Sequence, residues 1–184
     1  MNLNKLKLLV LLLPAMALSG CEEWKADQAL VENIWKKTVE VTGLPAETPM
    51  PRIEFLPVYD PKEGKALGRC YYGGNDGRLE IYLKGIVSNI WKCRDRGGWN
   101  ISYKEGEVIT YAVMAHEMLH HALFLKGVTV YRQHKAMQEL GYMEKMVDFI
   151  SQCFQIHPDG YQKEFILKGL EAGVRKDEKS LAGN

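Results

Sequence analysis

The segment from Val108 to Lys126 constrains the fold of this 184-residue chain more than any other segment, because it is apolar on nearly every side of a helix. A helix that is apolar all round belongs in the interior of a domain, and Gly127 follows at the expected C-cap position. His116 and His120 lie four residues apart, so they share one face of this helix. Burying polar groups without partners is costly, and a metal ion held between the two rings would remove that cost.

Residues 116–120 read His-Glu-Met-Leu-His, which is the H-E-x-x-H pattern of zinc metallopeptidases. In this pattern two neutral imidazoles bind one zinc ion, and the glutamate accepts a proton from a metal-bound water. We therefore predict His116 and His120 as zinc ligands and Glu117 as the general base. His121 points about a quarter-turn away from the ligand face, so we expect it to pack or to support the ligands.

A catalytic zinc ion usually has three protein ligands and one position open to water. The metzincin extension is excluded, because Leu123 and Lys126 stand where that pattern has glycine and histidine. Four later side chains are candidates for the third ligand: His134, Glu139, Glu144 and His157. His134 follows a loop long enough to reverse the chain, whereas Glu144, with Asp148 one turn later, resembles the ligand arrangement of the gluzincins. These residues alone leave the choice open.

The order of the elements predicts one small domain of the α+β class, with a short antiparallel sheet between an N-terminal helix and the buried histidine helix. A loop rich in Gly, Asn and Asp at residues 73–77 predicts a hairpin. We expect the strand over residues 79–83 to pair with an extended peptide. The predicted helices are 24–42, 108–126, 134–156 and 161–174, and the predicted strands are 53–58, 67–72 and 78–83.

The metal-helix segment, followed by Leu123-Phe124, a loop and His134, resembles the SprT-like (Spartan-type) metalloprotease domain. The resemblance covers roughly residues 24–156, and upstream it includes residues 66–70 and 79–83 as a small-residue strand and an apolar strand. It implies a zincin-like domain over residues 21–174, with His134 as the third zinc ligand and a peptide or protein as the substrate. Lys135 departs from the family pattern, which has glycine after the third histidine.

The first 20 residues are predicted to be a signal peptide. Lys5 and Lys7 precede an apolar run that is too short to span a bilayer. Residues 18–21, Leu-Ser-Gly-Cys, resemble the lipobox of bacterial lipoproteins, in which cleavage precedes the cysteine and lipid is attached to it. We therefore expect a lipidated Cys21 that anchors the protein in the bacterial cell envelope. Glu22 favours the periplasmic face of the outer membrane.

Charge and cysteine content narrow the functions further. The chain has 24 Lys and Arg against 23 Asp and Glu, and removal of the signal peptide takes away two lysines. A nearly neutral domain is not expected to bind nucleic acid. We therefore do not expect this protein to share the DNA-linked role of some SprT-like proteins. Cys70, Cys93 and Cys153 allow three disulfide pairings, and the sequence alone does not choose between them. We favour Cys70 with Cys93, because both lie in the loop-rich middle of the chain, and we expect Cys153 to be a buried thiol in a helix. Residues 175–184 are expected to form a flexible tail.

Together these features predict zinc-dependent peptide hydrolysis in the cell envelope by a lipid-anchored protein. The alternative is a non-catalytic zinc-binding lipoprotein that acts as a partner-binding or assembly module. A peptidase also needs a donor to the oxyanion of the tetrahedral intermediate. Tyr131, Arg132 and Tyr142 are near enough in sequence to be considered for this role.

Overall fold

A computed structural model describes residues 25–62, 66–72, 77–86, 103–157 and 162–171 of the chain. The predicted signal peptide, Cys21, Cys93 and the predicted tail lie outside these residues. The elements in chain order are α1 (Gln28–Thr42), β1 (Arg52–Leu56), β2 (Gly68–Tyr71), β3 (Arg78–Tyr82), α2 (Tyr103–Leu125), α3 (Val130–Glu139), α4 (Tyr142–Cys153) and α5 (Gln162–Glu171). Residues 83–86 are also helical. The predicted α+β class is confirmed.

The three strands form a sheet in the order β1-β3-β2. β2 and β3 are antiparallel neighbours, as the predicted hairpin requires, whereas β1 runs parallel to β3. The prediction of a purely antiparallel sheet is therefore wrong. Strand β2 runs opposite to β1 and does not pair with it. Strand β3 lies between the two and pairs with both. Our expectation that residues 79–83 pair with a peptide is also wrong, because β3 is the central strand.

Helix α1 has a well-defined start and end. Asp27 accepts hydrogen bonds from the backbone N–H groups of Ala29 and Leu30 at 2.9 and 3.3 Å, which makes it the N-cap. Gly43 ends the helix in the left-handed conformation, with φ of 67°. The apolar face of α1, which includes Ile34 and Trp35, is buried in the core. The helix starts after the predicted position 24 because the cap lies at residue 27.

Helix α2 is the centre of the domain. Residues 111–119 are all buried, which confirms the prediction of a core helix. α2 packs against α1 and α5 and also against β2 and β3. At Gly169 of α5, an added Cβ would lie 2.7 Å from the Cβ of Ala112 on α2, so the two helices approach too closely for a side chain at this position. Within the described ranges, no helix has the length and apolar character needed to cross a membrane.

The prediction of one helix over residues 134–156 is wrong, because two helices, α3 and α4, occupy this region. Gly141 separates them with a left-handed φ of 56°, a conformation that breaks the helical path and favours glycine. Helix α3 already begins at Val130, so His134 lies in its second turn rather than at the start of a helix. This earlier start places Gln133 and His134 on the same helix.

Candidate metal centre

Three histidines meet where α2 and α3 pack together. His116 and His120 project from one face of α2, and His134 comes from α3. One ring nitrogen from each histidine can be chosen so that all three nitrogens lie within 4.8 Å of one another. The Nε2 atoms of His116 and His120 are 3.0 Å apart. These are the three histidines predicted as ligands, and the structure brings them to one place.

The geometry of this cluster fits a metal ion. Two imidazole nitrogens bound to a tetrahedral zinc ion at about 2.0–2.1 Å lie about 3.3 Å apart. The His116 and His120 nitrogens, at 3.0 Å, are close to that spacing. Three imidazole donors also leave a fourth position for water or substrate. The donor set suits zinc, and imidazole sites also bind copper, iron and nickel.

The electrostatics favour a neutral His116 ring. Burial lowers the pKa of His116 well below its ordinary value, and the neighbouring His120 and His134 lower it further. The backbone carbonyl of Leu170, in the last turn of α5, accepts a hydrogen bond from the His116 ring and opposes this shift. A neutral imidazole keeps a lone pair for a metal ion, so burial prepares His116 to act as a ligand.

His120 is held by a glutamine that we did not predict as part of the site. Gln133 is fully buried, and its Oε1 lies 2.6 Å from the Nδ1 atom of His120 and 3.0 Å from the hydroxyl oxygen of Tyr72. Metal-binding histidines usually donate their second ring nitrogen to such a carbonyl group. No motif points to Gln133, because the sequence pattern places it in the loop before His134. Leu170 contributes only its backbone carbonyl, which any residue has, so the sequence could not indicate its role.

Glu117 lies between the histidine cluster and the sheet. Its side chain is buried against the backbone of Gly68 in β2, where an added Cβ would lie 2.7 Å from Glu117 Cγ and 2.9 Å from Oε1. Burial raises the pKa of the Glu117 carboxyl to about 8, and the positive charge of Arg69 opposes this rise. Burial and the charge of Glu117 together raise the pKa of the Cys70 thiol. The predicted base therefore adjoins both the metal helix and β2.

The other candidate ligands lie apart from this cluster. Glu144 is exposed in the first turn of α4, and Glu139 is exposed with an ion pair to Lys135 at 3.7 Å. His157 is also exposed. Among the described residues, the group of donors that could hold a metal ion comprises His116, His120 and His134.

His121 faces another part of the core. Its ring is fully buried, with its centroid 6.0 Å from that of Trp35 on α1. An added Cβ at Gly77 would lie only 2.1 Å from the His121 ring, so the backbone just before β3 covers the ring directly. Neither ring nitrogen has a hydrogen-bond partner among the residues that the structure describes. This position agrees with the predicted packing role.

The three suggested oxyanion donors differ in their surroundings. Tyr142 is fully buried, and its hydroxyl donates to the Ala115 carbonyl at 2.9 Å and contacts the Thr38 hydroxyl at 3.0 Å. These bonds tie α4 to α1 and α2, so Tyr142 is a structural residue. Tyr131, which is 79% exposed, and Arg132, which is also exposed, lie one turn or less before His134.

The cysteine predictions have separate outcomes. Cys70 is half-buried on β2, and its predicted disulfide partner Cys93 lies outside the described residues, so the pairing stays a prediction. Cys153 is exposed in the last turn of α4, and the prediction that it is buried is wrong. By spacing, Cys153 shares the face of Met146 and Ile150, but it is the last residue of α4 and lies at the exposed end of that face.

The chain matches no protein-family model, no curated protein and no solved structure. The resemblance to SprT-like domains therefore rests on the residues quoted above. What this site can do chemically depends on the histidine cluster, Glu117 and the strand beside them.

Proposed function

We propose that this protein is a zinc-dependent peptidase with His116, His120 and His134 as metal ligands and Glu117 as general base. The observation that carries the proposal is the meeting of three imidazole nitrogens within 4.8 Å, with a buried carboxylate next to them on α2. Zinc enzymes that hydrolyse amides commonly combine three protein ligands with an adjacent glutamate.

Glu117 moves the proton in this reaction. A bound zinc ion would supply a lowered pKa for the attacking water and polarisation of the scissile carbonyl. Glu117 accepts a proton from that water, which forms a bond to the carbonyl carbon, and later delivers the proton to the departing amine nitrogen as the C–N bond breaks. Burial raises the pKa of Glu117, which strengthens it as a base, and a nearby cation favours its charged form.

Strand β2 supports a peptide as the substrate. It forms one edge of the described sheet, and Gly68 on this strand contacts Glu117. An extended peptide that adds to a sheet edge gains main-chain hydrogen bonds without needing a particular sequence. A peptide paired with β2 would run beside the carboxylate of Glu117. The absence of a side chain at Gly68 leaves room for the carboxylate.

The location of the reaction is proposed from the N-terminal residues. The basic and apolar segment before Cys21 is typical of a lipoprotein signal. Lipid on Cys21 would keep the peptidase at the membrane of the bacterial envelope, where proteins and peptides of the periplasm are within reach. Mass spectrometry of the purified protein tests this point by the mass of its N-terminal peptide.

The substitution Glu117→Gln tests the mechanism, because it retains the shape of the side chain and removes its ability to accept a proton. We expect the variant to keep one zinc ion per chain and to lose hydrolysis of a fluorogenic peptide mixture by about 10²–10⁴-fold, the usual contribution of a general base. Glu139→Gln is the matched control, since Glu139 is exposed on α3, and it should change neither property.

Two results would contradict the proposal. Hydrolysis by Glu117→Gln at the wild-type rate would show that another group acts as the base. Stoichiometric zinc without turnover of any peptide in the wild-type protein would favour the alternative function, a zinc-binding module that recruits a partner.

A further inference from the structure

The side-chain amide of Gln133 has four polar neighbours and no exposure to solvent. Its Nε2 atom lies 3.3 Å from the backbone oxygen of His120 and 3.3 Å from that of Val128. Its Oε1 atom lies 3.0 Å from the Tyr72 hydroxyl and 2.6 Å from Nδ1 of His120. The amide therefore uses both its donors and both its acceptor positions.

The neighbours of Gln133 determine which way its amide points. Backbone carbonyl oxygens can only accept hydrogen bonds, so the two oxygens of His120 and Val128 require the –NH₂ group on their side. A flipped amide would place its oxygen against two carbonyl oxygens and its –NH₂ group against Tyr72 and His120. That arrangement would lose both hydrogen bonds to the backbone. It would also bury the amide oxygen against two carbonyl oxygens, and none of the three can donate a hydrogen bond. The amide oxygen must therefore face the His120 ring.

An amide oxygen at 2.6 Å from Nδ1 leaves one role for that nitrogen. It must donate, because an amide oxygen can only accept a hydrogen bond. A neutral imidazole carries one proton, so Nε2 of His120 then holds the lone pair. This Nε2 atom is the one that lies 3.0 Å from Nε2 of His116, on the side where the three histidines meet.

We propose that Gln133 is a positioning residue that keeps His120 in the Nδ1-protonated form before any metal ion binds. The inference rests on the metal site of the proposed function but does not require peptide hydrolysis. The hydrogen bonds of Gln133 run to His120, Val128 and Tyr72, so it acts on the site through His120. It also fixes the rotation of the ring, since the bond to Oε1 holds the Nδ1 edge on the α3 side.

Tyr72 extends this arrangement to the sheet. It follows β2 directly, its hydroxyl donates to Gln133 Oε1, and its ring centroid lies 4.8 Å from that of Phe124 on α2. The end of β2 is therefore connected to a metal ligand through two hydrogen bonds. Displacement of β2 would disturb the acceptor that holds His120.

The test is NMR of the purified full chain labelled with ¹⁵N-histidine, first without metal and then during titration with zinc chloride. We expect the metal-free wild-type protein to show His120 protonated at Nδ1. We expect Gln133→Met, which fills a similar volume but accepts no hydrogen bond, to lose this preference. Zinc affinity should then fall about 10–100-fold, the usual effect of removing the partner of a metal-binding histidine.

Gln138→Met is the matched control, because Gln138 is exposed on the same helix, and it should change neither the tautomer nor the affinity. Protonation of His120 at Nε2 in the metal-free wild type would overturn the inference without recourse to any variant. Unchanged zinc affinity in Gln133→Met would also overturn it. If the protein has no peptidase activity, only the hydrolysis assay would show it. The His120 tautomer and the zinc affinities would be the same.

Discussion

Gly68→Ala tests whether the contact between β2 and Glu117 positions the base. Gly68 does not adopt a left-handed backbone conformation. The structure therefore requires its small size and not its conformational freedom. The added Cβ would lie 2.7 Å from Glu117 Cγ, whereas carbon atoms in contact are about 3.5–4.0 Å apart. Relief of the clash therefore moves the carboxylate or β2 by about 1 Å.

A displacement of about 1 Å at a reacting group costs on the order of 100-fold in rate, which corresponds to about 2.7 kcal/mol in the activation free energy. We expect kcat for peptide hydrolysis to fall by this factor in Gly68→Ala. Zinc stoichiometry should stay at one per chain, because the nearest atoms to the added Cβ belong to Glu117 and to none of the three histidines. Peptide turnover and metal analysis on the same preparation separate the two effects.

Gly85→Ala is the control, since a Cβ there would come no closer than 3.4 Å to its neighbours, Ala66 and Leu67. That distance needs little adjustment, so this variant should retain wild-type kcat. Equal kcat in Gly68→Ala and wild type would refute the reasoning, because it would mean that the position of Glu117 against β2 is irrelevant to the rate. Loss of zinc in Gly68→Ala would also contradict the claim that the contact acts on the base alone.

Two further predictions concern the third ligand and the loop before β2. His134→Ala should abolish stoichiometric zinc binding in metal analysis and Glu144→Ala should retain it; the reverse result would move the site to α4. Arg69 donates to buried Asp60 at 2.9 and 2.7 Å and holds the pKa of that carboxyl well below its usual 3.8. The pair therefore stabilises the fold above about pH 4, and this stability is lost as acidification protonates Asp60. Asp60→Asn should lower the free energy of unfolding in urea at pH 7 by about 1–3 kcal/mol. The difference from the wild-type protein should be smaller at pH 3. Equal free energies of unfolding for the two proteins at pH 7 would contradict this role.

The sequence was most informative where the physics is local. The apolar run of α2 and Gly127 after it predicted a buried helix, and the spacing of His116 and His120 placed them on one face. The same reasoning failed between α3 and α4, because apolar residues continue through Leu140 and masked the break at Gly141. The predicted direction of β1 relative to β3 was also wrong, since the order and direction of strands depend on contacts between distant segments.

The choice between His134 and Glu144 shows where the residues alone stop being decisive. His134 and Glu144 were both chemically suitable, and only the resemblance to SprT-like domains favoured His134. The packing of α3 against α2 brings His134 to the other two histidines and leaves Glu144 exposed on α4. Gln133 was assigned to a loop, so its contact with His120 could not be anticipated.

The sequence alone determined that a buried helix carries two histidines on one face with a glutamate beside them, because helical geometry repeats every 3.6 residues whatever surrounds it. Tertiary structure decided the rest of the site. It brought His134 from α3, placed Gln133 behind His120 and set Gly68 against Glu117. These contacts join segments separated by up to 49 positions in the case of Gly68 and Glu117. Their distances depend on how helices and strands pack into a dense core, and no short pattern of residues encodes that packing.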